Sequence, residues 1–106
     1  MPKYLLEVNY TLDGLKGVMK DGGAKRKAAA ASAAKSAGGK VDAFYFAFGG
    51  TDVFVIADFP DNQSAAALAL AVSSAGGASV KTTVLLTTDE IDAATGKEVK
   101  YRPPGK

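Results

Sequence analysis

The stretch from Lys40 to Pro60 restricts the fold of this chain more than any other part of the sequence. It predicts two strands joined by a tight turn at Gly49-Gly50, because apolar residues occupy most positions on either side of that turn. A strand with one face in water carries polar residues at every second position. Both faces of these two strands are largely apolar. We therefore expect both faces to be covered, one by the helices of the chain and the other by something else.

Two further stretches, residues 3–10 and 79–87, alternate their side chains with the period of two that predicts strands. After the first of them, apolar residues follow helical spacing, with Thr11 as the predicted N-cap. An alanine-rich helix is predicted over residues 24–36. The two glycines after Asp21 predict either a kink inside one long helix or a turn between two helices.

The second half of the chain repeats the pattern of strand followed by helix. Asp61 or Asn62 is predicted to cap a helix that runs to about Ala75. A short helix over residues 88–94 is predicted after the last strand, with Thr88 as its cap. The chain thus reads strand, helix, strand, strand, helix, strand.

This order predicts an α+β fold of the ferredoxin-like type, βαββαβ, in which a four-stranded antiparallel sheet carries its helices on one face. Residues 1–96 are predicted to form this single domain. Residues 97–106 are predicted to be a flexible basic tail, because four of the 13 lysines and arginines of the chain lie there. The other sheet face is substantially apolar, so we expect a second copy of the chain to cover it, as a homodimer or higher oligomer.

Composition excludes several classes of function. The chain has no cysteine and no histidine, which excludes disulfides, a Ser-His-Asp triad and metal sites built on those residues, and we expect neither metal nor cofactor. A net charge of +2 gives no footprint of nucleic-acid binding, and the third strand lacks the basic residues of an RNA-recognition module. We expect no signal peptide, because residues 1–3 lead directly into a strand pattern, and no apolar run reaches about 18 residues. We expect a cytoplasmic protein without a membrane partner.

Four polar residues near the central turn are candidate ligand-binding groups. Asp52 begins the third strand, where its carboxylate either accepts a proton and orients a ligand or hydrogen-bonds its own backbone as a turn residue. The hydroxyl of Tyr45 needs a partner if it is buried, and Glu7 and Asn9 on the first strand are the available ones. If these residues face a cavity, they form a small polar set in an apolar pocket.

Arg26 is a further candidate, near the start of the second helical segment. Between Lys25 and Lys27 it either holds an anion, which a helix N-terminus also favours, or belongs to a solvated helix face. The glycine pairs of the chain lack the spacing of phosphate-binding loops and coincide with predicted turns and helix ends.

A set of short stretches spread along the chain carries a family resemblance. They are Asn9-Tyr10-Thr11, Gly14, Lys20-Asp21, Lys25-Arg26, Gly38-Gly39-Lys40, Phe44-Tyr45, Gly49, Asp52, Pro60-Asp61, residues 65–71 and Thr82-Thr83. Through them, residues from Lys3 to about Ile91 resemble the GYD domain family of small bacterial and archaeal proteins. The Gly-x-Tyr-Asp turn of that family is altered here, because Thr51 stands where the resemblance implies a tyrosine. Thr51 is therefore the sixth candidate.

The resemblance implies a fold like that of the dimeric α+β barrel proteins, which include cofactor-independent monooxygenases, isomerases and haem-handling proteins. The first hypothesis is an oligomeric binder of a small molecule, in a cavity between sheet and helices. The second is a cofactor-independent monooxygenase or isomerase in which Asp52, Tyr45 and Asn9 handle protons and orient the substrate. The third is a purely structural oligomerisation module.

Overall fold

The chain folds as an α+β structure, and the computed structural model describes residues 1–106. Eight elements follow one another: β1 (Lys3–Tyr10), α1 (Leu12–Asp21), α2 (Gly23–Ser36), β2 (Lys40–Phe46), β3 (Val53–Asp58), α3 (Asn62–Ser74), β4 (Ala78–Leu85) and α4 (Thr88–Thr95). The predicted βαββαβ order is confirmed. Its first helical region is divided into α1 and α2, and α4 follows the last strand.

The four strands pair antiparallel in the spatial order β2-β3-β1-β4, so β3 and β1 are central and β2 and β4 are the edges. In the middle of the sheet, Leu6 lies opposite Val55 on one side and Thr82 on the other. A register shift between Val41 and Ala43 interrupts the pairing of β2 with β3. The predicted four-stranded antiparallel sheet is confirmed.

α1, α2 and α3 lie on one face of the sheet, which we call the helix face. Eight buried residues form the core there: Tyr4, Leu6, Ala34, Val53, Val55, Ala57, Phe59 and Ala65. The helices contribute only two of them, Ala34 from α2 and Ala65 from α3. Because a methyl group fills little volume, helices that reach the sheet through alanine leave space beside them.

Tyr4 is the largest buried side chain, and its hydroxyl is satisfied. The hydroxyl donates to Oδ1 of Asn62 over 2.6 Å, and the ring meets that of Phe59 edge-on with 5.6 Å between the centroids. Buried aromatic pairs prefer this geometry. Together the two contacts fix the start of α3 against β1.

α1 begins with a side-chain cap and a close contact with another part of the backbone, and a glycine turn separates its end from α2. The side chain of Thr11 accepts a hydrogen bond from the backbone N of Gly14, which confirms the predicted N-cap. A Cβ on Gly14 would lie 1.8 Å from the carbonyl oxygen of Gly77, so only glycine allows this approach. Gly22 has φ of 81°, which favours glycine and makes a turn between two helices rather than a kink in one.

The last two helices have side-chain caps. Asp61, the first of the two predicted candidates, caps α3 by accepting from the backbone N of Ser64 over 2.8 Å. The prediction of Thr88 as the cap of α4 is wrong by one residue. Thr87 is the cap, because Glu90 stands three residues further on and completes a reciprocal capping box with it.

Residues 86–106 extend beyond the sheet. Every residue in this range is exposed, including those of α4. The radius of gyration is 16.9 Å, compared with about 13 Å for a typical domain of 100 residues. The helix face and the cleft described next are therefore built by residues 3–85 alone.

Candidate functional site: a cleft on the helix face

A cleft of about 600 Å³ opens on the helix face between α2 and α3. Ala33 and Ser36 of α2 stand on one side, Leu68 and Val72 of α3 stand on the other, and Tyr10 at the end of β1 also lines it. Most of its lining is apolar. The facing surfaces of the two helices consist largely of alanine, and at the separation of these helices such small side chains do not fill the space between them.

An inner chamber of about 120 Å³ continues the cleft beneath α2 toward the sheet. The sheet contributes residues such as Leu6, Val8 and Val55 to its lining. Leu68 and Arg26 border both spaces, so the cleft and the chamber adjoin each other. Fifteen of the sixteen residues that line the chamber are hydrophobic, and the exception is Arg26.

Arg26 is the one charged residue in the lining of either space. It lies in the first turn of α2, and its side chain is 38% exposed. Its Nη1 atom stands 3.8 Å from Oδ2 of Asp21, which is too far for a hydrogen bond. The guanidinium group thus forms a part-exposed ion pair with Asp21 but no hydrogen bond with another side chain, so its five donors can still bond to a ligand. Such a group can bind an anion at the edge of the cavity.

Asp52 holds the backbone next to the cleft. Its Oδ2 accepts from the backbone N of Tyr10 over 2.8 Å, and its own backbone N donates to the carbonyl of Val8 over 3.0 Å. Its carbonyl accepts from the backbone N of Ala47. Of the two interpretations drawn from the sequence, these contacts agree with a structural one. The carboxylate bonds to the neighbouring strand rather than to its own turn.

The opposite side of the sheet has no helix on it, and we call it the open face. Its strand register brings apolar side chains of three strands side by side. We call this group the apolar band: Leu5, Ala43, Tyr45, Phe54 and Ile56. None of these five residues is buried.

Three of the candidate residues, Glu7, Asn9 and Thr51, lie at one side of the apolar band, and a fourth, Tyr45, belongs to the band itself. Glu7 is paired in register with Phe54 and Lys81, and its Oε1 accepts from Oγ1 of Thr51 over 3.4 Å. Nδ2 of Asn9 donates to the carbonyl of Gly50 over 2.8 Å. Tyr45 is 71% exposed and its hydroxyl bonds to neither Glu7 nor Asn9.

Charged residues lie at the other side of the apolar band. The ammonium of Lys3 bonds to the carboxylate of Asp42 and, over 2.9 Å, to that of Asp58. The hydrogen bond to Asp42 raises the pKa of Lys3 most, and the hydrogen bond to Asp58 raises it further. In turn, the hydrogen bond from Lys3 lowers the pKa of Asp42. This exposed cluster has the mixed charge typical of the rim of a protein interface.

The structure thus places the six candidates in three locations. Arg26 borders the cleft, Asp52 anchors the strand end beside it, and the remaining four residues lie on the open face. Of the six candidates, only Arg26 lines the spaces between the sheet and the helices. As ligand-binding groups, the six residues remain predictions.

The cleft also contains residues that sequence reasoning did not single out, chiefly Tyr10, Leu68 and Val72. The helical spacing of Leu68 and Val72 on one side of α3 was the available signal. No three acidic residues stand close enough together to hold a metal ion. None of the four helices is both long and apolar enough to cross a membrane.

Comparison with known proteins defines the family. The family model described as the GYD domain matches residues 4–95 of this 106-residue chain. The chain belongs to the GYD domain family. No curated protein and no solved structure gives a significant match.

The GYD match extends from β1 to the last residue of α4, so it includes both faces of the sheet and both walls of the cleft. Thr51, which replaces the tyrosine implied by the family turn, lies next to Glu7 on the open face. The altered position of the turn is therefore separated from the cleft by the sheet.

Proposed function

We propose that this GYD domain binds a small, largely apolar molecule in the cleft of the helix face, and that it acts as a homodimer or higher oligomer. The observation that carries the proposal is the cleft between α2 and α3, with the inner chamber next to it against the sheet. A volume of about 600 Å³ lies within the range of about 300–1,000 Å³ that is usual for ligand sites. Such sites combine an apolar lining with a small number of polar groups.

The apolar band supports the oligomer. Phe54 is 38% and Tyr45 is 71% exposed on a surface without walls, and contiguous apolar patches of this kind mark protein interfaces. The charges of Lys3, Asp42 and Asp58 border the band with both signs, which suits a self-complementary contact. We therefore assign the open face to a second copy of the chain.

The cofactor-independent enzyme of the second hypothesis has less support. It requires Asp52, Tyr45 and Asn9 to act on one substrate. The carboxylate of Asp52 is engaged by the backbone of Tyr10 and the amide of Asn9 by that of Gly50. Tyr45 lies across the sheet from the cleft. These three groups do not converge on one reacting atom.

Fluorescence of the neutral probe N-phenyl-1-naphthylamine tests binding in the cleft. The probe is expected to bind the native protein and to bind at least tenfold more weakly to Ala33→Leu, because Ala33 lines both the cleft and the inner chamber. Ala31→Leu is the matched control, since Ala31 lies on the same helix, is exposed and borders neither space. Equal probe binding by the two variants would contradict the proposal.

A further inference from the structure

We infer that the ligand is an apolar carboxylate, bound with its acid group on Arg26 and its apolar end in the inner chamber. This inference rests on the proposed function of the cleft and specifies its ligand class. Arg26 borders both the cleft and the chamber, so its guanidinium group lies beside the space that would hold the apolar end of the ligand.

The electrostatics of the cavity determine the sign and number of charges on the ligand. Arg26 is the single charged residue of the lining, while Lys25 and Lys27 next to it in the chain are exposed and border neither space. One cation at the edge of an apolar cavity favours one anionic group and disfavours a cation. A ligand with several negative charges, such as a polyphosphate, would leave most of its charge without a partner.

The geometry of the guanidinium group favours a carboxylate. Its planar donors match the two oxygens of a carboxylate and form two parallel hydrogen bonds with it. Asp21 stands 3.8 Å away and forms no hydrogen bond with Arg26. A ligand carboxylate therefore breaks no hydrogen bond inside the protein and competes only with this long, part-exposed ion pair. With a side chain that is 38% exposed, solvent reaches the acid group and weakens the contact relative to a buried one.

The inner chamber limits the apolar end of the ligand. Its volume is about 120 Å³, somewhat less than the engineered cavity of about 150 Å³ that stays dry and binds benzene. A phenyl ring or a short alkyl chain is the largest group that we expect it to hold without movement of α2. The cleft outside it has room for the linker between this group and the acid.

Competition with N-phenyl-1-naphthylamine tests the inference through two isosteric pairs, 4-phenylbutyrate with 4-phenylbutanamide and octanoate with octanamide. In the native protein each acid is expected to displace the probe about tenfold more effectively than its amide, in line with the strength of a charge-assisted hydrogen bond at a solvated site. In Arg26→Gln the acid and the amide of a pair are expected to compete equally. Lys25→Gln loses the same charge one residue away and keeps the native preference.

Asp21→Asn supplies a second variant that does not alter the guanidinium group. Removal of this neighbouring negative charge is expected to strengthen displacement by the acids about twofold to threefold and to leave displacement by the amides unchanged. Equal competition by acid and amide in the native protein would overturn the inference and leave the proposed function intact. A preference for the acid that persists in Arg26→Gln would also overturn it. Failure of the proposed function gives a different result, namely equal binding of the probe by Ala33→Leu and Ala31→Leu.

Discussion

The two faces of the sheet carry apolar side chains from the same strands, yet they offer different kinds of surface. On the helix face, Leu6 and Val55 lie beneath α2 and α3, and the space that these helices leave is enclosed on several sides. On the open face, Leu5 and Ile56 are only partly covered and no element stands beside them. The enclosed space on the helix face is suited to a small molecule. The flat, uncovered surface of the open face is suited to contact with another protein surface.

This difference shows that apolar character alone does not identify a ligand site. The open face has more candidate polar residues, but each is held by a local contact or directed to solvent. On the helix face, the cleft has a single charged residue, Arg26, whose guanidinium group forms no hydrogen bond inside the chain and borders an enclosed space. Enclosure together with a cation that forms no hydrogen bond inside the chain is what distinguishes the cleft.

The largest expected effect concerns the assignment of the open face to a second copy. Phe54→Asp places a charge within the apolar band and is expected to weaken self-association about a thousandfold, because an uncompensated charge in an interface costs about 4 kcal/mol. Sedimentation velocity at micromolar concentration measures the self-association of the native protein and of the variant. Phe48→Asp is the matched control, since Phe48 is 102% exposed and lies outside the band. A native protein that sediments as a monomer would refute the assignment.

A second prediction compares adjacent leucines on the two faces, in the Phe54→Asp background so that association does not contribute. Leu6→Ala is expected to lower the free energy of unfolding by about 3 kcal/mol, because Leu6 is 5% exposed within the core. Leu5→Ala is expected to lower it by about 1 kcal/mol, because Leu5 is partly exposed. Urea denaturation measures both. Equal losses would mean that the two faces are equally covered in the monomer.

A third prediction separates structure from binding at Asp52. Asp52→Ala leaves the backbone N of Tyr10 without its acceptor and is expected to cost about 1–2 kcal/mol of unfolding free energy. Asp52→Asn keeps an acceptor oxygen and is expected to recover most of that loss. Urea denaturation and probe fluorescence are measured on both variants. If Asp52→Asn keeps native stability but loses probe binding, Asp52 belongs to the ligand site instead.

The smallest expected effect is a pH dependence at α3, one wall of the cleft. Two hydrogen bonds from Ser64 lower the pKa of Asp61 in the folded chain, and the one from its side chain has a larger effect than the one from its backbone. A lowered folded pKa means that the carboxylate stabilises the protein above the unfolded pKa of about 3.9 and that this contribution is lost as the pH falls through the folded value.

Urea denaturation at pH 7 and at pH 2.5 measures this contribution. Asp61→Asn is expected to be less stable than the native protein at pH 7, and the difference is expected to shrink at pH 2.5. Asp92→Asn removes a carboxylate of α4 that makes no side-chain hydrogen bond and is expected to change stability little at either pH. A difference for Asp61→Asn that is constant across the range would show that the charge of Asp61 is not what stabilises α3.

Local patterns in the sequence were sufficient to predict the strands and helices of this fold. Alternation in residues 3–10 and 79–87 predicts strands that the structure has as β1 and β4. Thr11 is a cap as predicted, and Asp61 is one of the two residues predicted to cap α3, because a cap and the backbone N–H from which it accepts lie within four residues of each other. Even the misplaced cap of α4 has a local reason, since Glu90 completes a capping box only with Thr87.

The candidate site depended on information that no local pattern contains. Alternation divides the residues of a strand between two faces, and in β2 both faces are apolar, so the pattern does not tell which face Tyr45 shares with Glu7 and Asn9. Only the register of β2, β3 and β1 places these three residues on the open face. The proximity of Arg26 to Leu68 across the cleft joins residues 42 positions apart in the chain.

The sequence by itself determined the class of fold, the family and the apolar character of both sides of the central strands. Tertiary structure alone decided which side is enclosed, because the space between two helices depends on where each helix lies on the sheet. The alanines of α2 and α3 are compatible with close packing of the helices as well as with a cleft. Their placement on the sheet leaves the cleft open, and it brings Arg26 to its edge.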